Sequence, residues 1–130
     1  LIVYDAARPI SIQQEMWATV EGTDKEDFVA NPKKGGGNHN FGNAVDVTII
    51  DCTGFPIPMG SEYDCFADHS RVNIEQQLLD EGIITKRELD NRLLLRRVME
   101  ESGFLKIDEE WWHFDNRPKK YAVENYKLIP

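Results

Sequence analysis

The 130-residue chain is the length of one domain and can bury roughly two-thirds of its unfolded surface around a single core. Its 41% hydrophobic and 10% aromatic content excludes wholesale disorder. The balance of 15 Lys and Arg against 23 Asp and Glu, a net charge of −8, argues against a nucleic-acid partner and against adsorption to anionic membranes, and no apolar run approaches the roughly 18–20 residues of a spanning helix.

Residues 1–4 predict a short strand ending at Asp5. With no initiator Met, basic leader or cleavage-site pattern ahead of Leu1, the chain reads as a fragment or a processed product. Pro9 opens a predicted helix over 10–21, with Ile12, Met16 and Val20 as a narrow apolar stripe. Asn31-Pro32 and the run Gly35-Gly36-Gly37-Asn38 mark a flexible loop. Residues 44–50 are the clearest strand, with Val45, Val47 and Ile49 on one face and Ala44, Asp46 and Thr48 on the other. After a turn-rich stretch around Gly54, Pro56, Pro58 and Gly60, a helix is expected near 74–81. The strongest helix falls over 86–102. Thr85 and Glu88 form its capping box, Leu89, Leu93, Leu94 and Met99 its stripe, and Gly103 its stop. Residues 111–114 predict an aromatic strand, and 118–130 a loop with one further short strand. Strands and helices do not alternate regularly, so the expected fold is α+β: one domain, a central and mainly antiparallel sheet, helices flanking it. Cys52 and Cys65 could form one bridge at most, too little for a disulfide framework, and read as ordinary buried or half-buried thiols.

Two clusters carry chemistry. His39 stands at a glycine-bearing turn ahead of the 44–50 strand, and Asp46 lies inside that strand, where a carboxylate among Val and Ile residues needs a cation. Glu110-Trp111-Trp112-His113 places a carboxylate and an imidazole beside two large aromatics. One imidazole from each cluster with Asp46 makes a His2Asp set, the three protein ligands of a catalytic zinc site with an open fourth position. Glu110 is then the general base, beside the metal but not on it. Positions 110 and 113 of a regular strand point to opposite faces, so an irregularity is expected near 109–111. The plainer alternatives are structural histidines, an Asp46 held by a buried Arg, and tryptophans that form core and cleft wall. A rival metal set, Cys52, Cys65 and His69, lacks the CxxC spacing of a structural zinc site.

Four ordered motifs resemble the D-alanyl-D-alanine dipeptidases, the zinc enzymes known from vancomycin resistance. They are Tyr4-Asp5-x-x-Arg8-Pro9, His39-x-x-Gly42-x-Ala44-Val45-Asp46, Met59-Gly60-Ser61-x-Tyr63-Asp64-x-Phe66 and Glu110-Trp111-Trp112-His113-Phe114; the similarity runs nearly the full chain. Asn91-Arg92-Leu93-Leu94 and Met99-Glu100-x-Ser102-Gly103-Phe104 also look like that family. The resemblance implies one Zn2+ per chain on His39, Asp46 and His113 in a cleft on the sheet, Glu110 as base, and Arg8 steadying the tetrahedral intermediate. It also implies a small D,D-dipeptide as substrate, with Asp64 on its ammonium and Trp112 and Ser61 nearby. Residues 1–130 then form a zinc D,D-peptidase domain lacking an N-terminal segment. The family's serine just ahead of the first zinc histidine and its arginine two residues after it are replaced by Gly36-Gly37-Asn38 and Phe41, which bears on substrate choice rather than on the metal set. Two alternatives stay open: a related carboxypeptidase or endopeptidase acting on peptidoglycan stem peptides, and a non-catalytic zinc-binding module of the same fold, as in Hedgehog-type domains.

Overall fold

A computed structural model describes residues 1–130. Strands β1 (Ile2–Asp5), β2 (Ala44–Thr48), β3 (Leu105–Lys106) and β4 (His113–Asp115) form one antiparallel sheet in the order β1-β2-β4-β3. Helices α1 (Ile10–Val20), α2 (Glu75–Asp80), α3 (Lys86–Glu101) and α4 (Lys119–Asn125) complete the α+β fold.

The central strand β2 divides core from cleft. Val47 is buried and Val45 and Ile49 pack beside it, in a core with Leu95 and Met99 of α3, Trp112 and Phe114. Residues opposed across an antiparallel ladder share a face. Val45 opposes Phe114 on the core side, so Asp46 and its partner His113 both project from the other side. On the opposite flank, an irregularity between Val3 and Asp5 sets Asp5 rather than Tyr4 against Asp46. That places a second carboxylate beside the first.

The α3 caps form as expected: the Glu88 amide donates to Thr85 Oγ1 at 3.2 Å and the Thr85 amide to Glu88 Oε2 at 2.7 Å. Gly103 takes φ +90°, letting the Phe104 amide close the helix on the Met99 carbonyl at 3.0 Å. Its buried stripe, however, is Leu89, Arg92, Leu95 and Met99, while Leu93 and Leu94 are exposed. Arg92 occupies the core because its guanidinium donates to the Met59 and His69 carbonyls, each at 2.6 Å, and lies 3.6 Å from Glu75. On α1 the buried residues are Gln13, Trp17 and Val20, and Ile12 is exposed. Gln13 displaces an apolar residue there by donating to the Ala30 carbonyl and accepting from Arg8.

Three further expectations are corrected. Residues 119–125 are helical rather than loop and strand; Ala122 is the one residue α4 buries, too little to print an apolar period. The short edge strand β3 was not anticipated, and both its residues are exposed. Trp111 and Trp112 lie in a turn, and the strand starts only at His113. The bend and turn over 108–112 are the irregularity required for Glu110 and His113 to face one point.

Candidate active site

His39 sits on a single 3-10 turn, Asn38–Phe41, whose entry depends on glycine. Gly36 adopts φ +67°, and a Cβ there would fall 2.3 Å from Asn40 Oδ1, which accepts the Gly37 amide at 2.8 Å. The turn is tied to the segment after β1: the Arg8 amide donates to the His39 carbonyl at 2.9 Å, and Asn40 Nδ2 to the Arg8 carbonyl at 3.0 Å.

Both imidazoles are oriented from outside. His39 Nδ1 lies 2.7 Å from the Ala6 carbonyl, which can only accept, so Nδ1 carries the proton and Nε2 presents a lone pair inward. His113 Nε2 donates to Asp115 Oδ1 at 2.8 Å, leaving Nδ1 to face the same point. His39 Nε2, His113 Nδ1 and Asp46 Oδ1 form a triangle with sides of 3.0, 3.1 and 3.1 Å, and all three residues are buried. Zinc bonds of 2.0–2.1 Å in a tetrahedron imply an edge of about 3.3 Å, close to these distances. Two lone pairs and a carboxylate oxygen packed this tightly repel one another unless a cation lies between them, so the donor set fits a zinc ion. Among His, Cys, Asp and Glu side chains, this is the group positioned to hold a metal.

The electrostatics agree. Where protons rather than a metal ion neutralise the centre, His113 and His39 donate to Asp46 and, against the pull of burial, hold its carboxyl well below the usual range. Burial alone would lower His113, yet Asp115, Asp46 and the Glu110 charge push it up to about 10. The centre attracts positive charge. Glu110 is buried, its Oε2 is 3.8 Å from His113 Nδ1, and burial pushes its carboxyl up to about 8 against the pull of His113.

Arg8 and Asp64 reach the same place. The Arg8 Nη2 is 2.6 Å from Asp5 Oδ2 and 3.7 Å from Asp46 Oδ2, and Nη1 donates to Gln13 Oε1 at 3.0 Å. Asp64 has φ +59°, and desolvation together with the nearby Asp46 charge raises its carboxyl. These two residues, Glu110 and the three candidate ligands line a cavity of about 310 Å³, with Met16, Phe28 and Phe66 as apolar wall.

Trp112 and Ser61 stand elsewhere. Trp112 is fully buried in the core behind the site, edge-on to Tyr63, whose hydroxyl donates to Asp46 Oδ2 at 3.3 Å. Ser61 accepts from Trp111 Nε1 at 2.8 Å and bonds Ser70 at 2.8 Å, and it does not line the cavity. The rival cysteine set does not assemble: Cys65 Sγ is 3.4 Å from His69 Nε2, while Cys52 is free and, contrary to the expected burial, exposed; Cys65 is half-buried. Asp5, Tyr63 and Asp115 enter the site unanticipated. For Asp115 a signal existed, since residue i+2 of a strand shares the face of His113.

Comparison with known proteins shows the family of the chain. A family model described as D-ala-D-ala dipeptidase matches residues 1–128. The chain belongs to that dipeptidase family. It is 31% identical over 115 residues to the D-alanyl-D-alanine dipeptidase of Escherichia coli, which covers 88% of this chain and 54% of that protein. Against the D-alanyl-D-alanine dipeptidase of Synechocystis sp. the identity is 28% over 159 residues, covering 100% of this chain and 64% of the relative. The Enterococcus faecium dipeptidase is 35% identical over 85 residues, 65% of this chain and 39% of its own length. The chain thus spans between half and two-thirds of the first two dipeptidases it matches.

Proposed function

We propose that this chain hydrolyses D-alanyl-D-alanine or a closely related D,D-dipeptide at a zinc ion held by His39, Asp46 and His113, with Glu110 as general base. The observation that carries the reading is the 3.0–3.1 Å triangle of inward-facing donors beside a buried carboxylate in one cavity. Zinc bound there supplies an acidified water and polarises the scissile carbonyl. Glu110 stands next to the ligand triangle without belonging to it, and its desolvated carboxylate is a stronger base than an exposed one. It takes the proton from the attacking water and returns it to the leaving amine, so it ends the cycle as it began. The Arg8 guanidinium, held by Asp5 and Gln13, supplies a fixed cation beside the developing oxyanion. Asp64 offers a carboxylate to the substrate's ammonium.

The cavity volume of about 310 Å³ lies at the small end of ligand pockets, which supports a dipeptide over a longer stem peptide. The test is release of D-alanine by the zinc-loaded chain from D-Ala-D-Ala and from a stem pentapeptide. Turnover of D-Ala-D-Ala is expected, and Glu110→Gln should lower kcat by about 10²–10⁴-fold while leaving one zinc per chain. Cleavage of the pentapeptide alone would assign a carboxypeptidase. Stoichiometric zinc with no turnover of either substrate would assign a binding module.

A further inference from the structure

The cleft carries more acid than base: Asp27, Asp46, Asp64, Glu109, Glu110 and Asp115 line it, against Arg8 and Lys119. The two cations are not equivalent. Arg8 is already engaged by Asp5, Asp46 and Gln13. Lys119, from the first turn of α4, donates its ammonium to the Gly36 carbonyl, an acceptor with no formal charge. An ammonium has three donors, so two N–H groups remain for a ligand. The peptide carrying that carbonyl is held on both sides: the Gly36 amide donates to the Asn31 carbonyl at 3.1 Å and the Gly37 amide to Asn40 Oδ1 at 2.8 Å. Lys119 is thereby pinned to the cleft wall beside Gly37 and Asn38, one residue before His39.

A free dipeptide brings one ammonium and one carboxylate into this acidic space. The ammonium has several carboxylates to meet; the carboxylate needs a cation not already paired, and on this wall that is Lys119. We infer that Lys119 binds the terminal carboxylate of the substrate and so confines cleavage to the last peptide bond of a chain that ends in the cleft. The inference rests on the hydrolase reading and deepens it by naming the group that selects free acids.

Kinetics with D-Ala-D-Ala and its C-terminal amide test it, using the zinc-loaded chain and its Lys119→Met and Lys119→Arg variants. Loss of one charge-assisted hydrogen bond predicts a fall of about 10–100-fold in kcat/KM for the free acid in Lys119→Met, carried by KM. The amide loses less, so the preference for acid over amide collapses, and Lys119→Arg restores most of it. An unchanged preference in Lys119→Met, or equal losses on both substrates, overturns the assignment. Calorimetry on zinc-loaded Glu110→Gln with the same two ligands reads the contact without turnover. Absent hydrolysis with a Lys119-dependent preference for the acid would remove the hydrolase reading and keep this one. Equal affinity for acid and amide would remove the Lys119 contact.

Discussion

Replacing Asp115 with alanine removes the acceptor of the His113 Nε2 proton, 2.8 Å away, while leaving all three candidate ligands chemically intact. That bond keeps the proton on Nε2 and the lone pair on Nδ1, and it fixes the ring plane edge-on to His39, with centroids 4.8 Å apart. Without it the ring can rotate or exchange tautomers, and each alternative turns Nδ1 from an acceptor into a donor or swings it off the triangle. A charge-assisted hydrogen bond contributes about 1.5–3 kcal/mol. Water recovers part of that, since the Asp115 side chain is 15% exposed. The expected net effect is a 10–100-fold weaker zinc affinity, about 1.4–2.7 kcal/mol. Competition against a chromophoric chelator near neutral pH measures it, with circular dichroism to confirm the fold. Asp115→Asn keeps an acceptor oxygen and should regain most of the affinity. Zinc binding by Asp115→Ala within about two-fold of the unmodified protein would show that Asp115 does not orient the ligand.

Two predictions concern stability. Glu110 binds its proton up to about pH 8 in the fold but releases it near 4.5 otherwise, so across that window this group makes metal-free folding less favourable as pH rises. Metal-free Glu110→Gln should therefore gain on the unmodified protein between pH 5 and pH 8 in urea midpoint, and a gap that stays constant would contradict the burial argument. Arg92→Leu leaves the Met59 and His69 carbonyls without their donor and Glu75 with one fewer cation, for an expected loss of about 3–5 kcal/mol in urea unfolding. A loss below about 1 kcal/mol would show that the Arg92 network is dispensable.

The readable parts of the sequence were those where one residue's chemistry excludes most environments. Asp46 inside a Val-rich strand demanded a cation, and the Arg8 guanidinium lies 3.7 Å from it; Glu110 with His113 demanded a break in the strand, and the turn at 111–112 supplies it. The Thr85 and Glu88 cap placed the start of α3 because the bonds are local. What escaped was burial driven by polar partners far away along the chain. Gln13 and Arg92 enter the interior through carbonyls at Ala30, Met59 and His69, so hydrophobic spacing selected the neighbouring Ile12, Leu93 and Leu94. Trp112 and Ser61 were expected near the substrate from the family resemblance alone; Trp112 is buried in the core, Ser61 bonds Trp111 and Ser70, and neither lines the cavity. Lys119 had no local signature, because its partner Gly36 belongs to a distant loop.

Asp46 and His113 are opposed residues of one ladder. A slip of β4 against β2 by one position would turn Phe114 toward the cleft and His113 with the Asp115 carboxylate into the oil of the interior. On the proposed reading, capture of a metal ion would act as a proofreading step for assembly, rewarding the single correct alignment of two short strands. The metal stoichiometry of a preparation would then be a census of properly threaded molecules as well as an assay of cofactor.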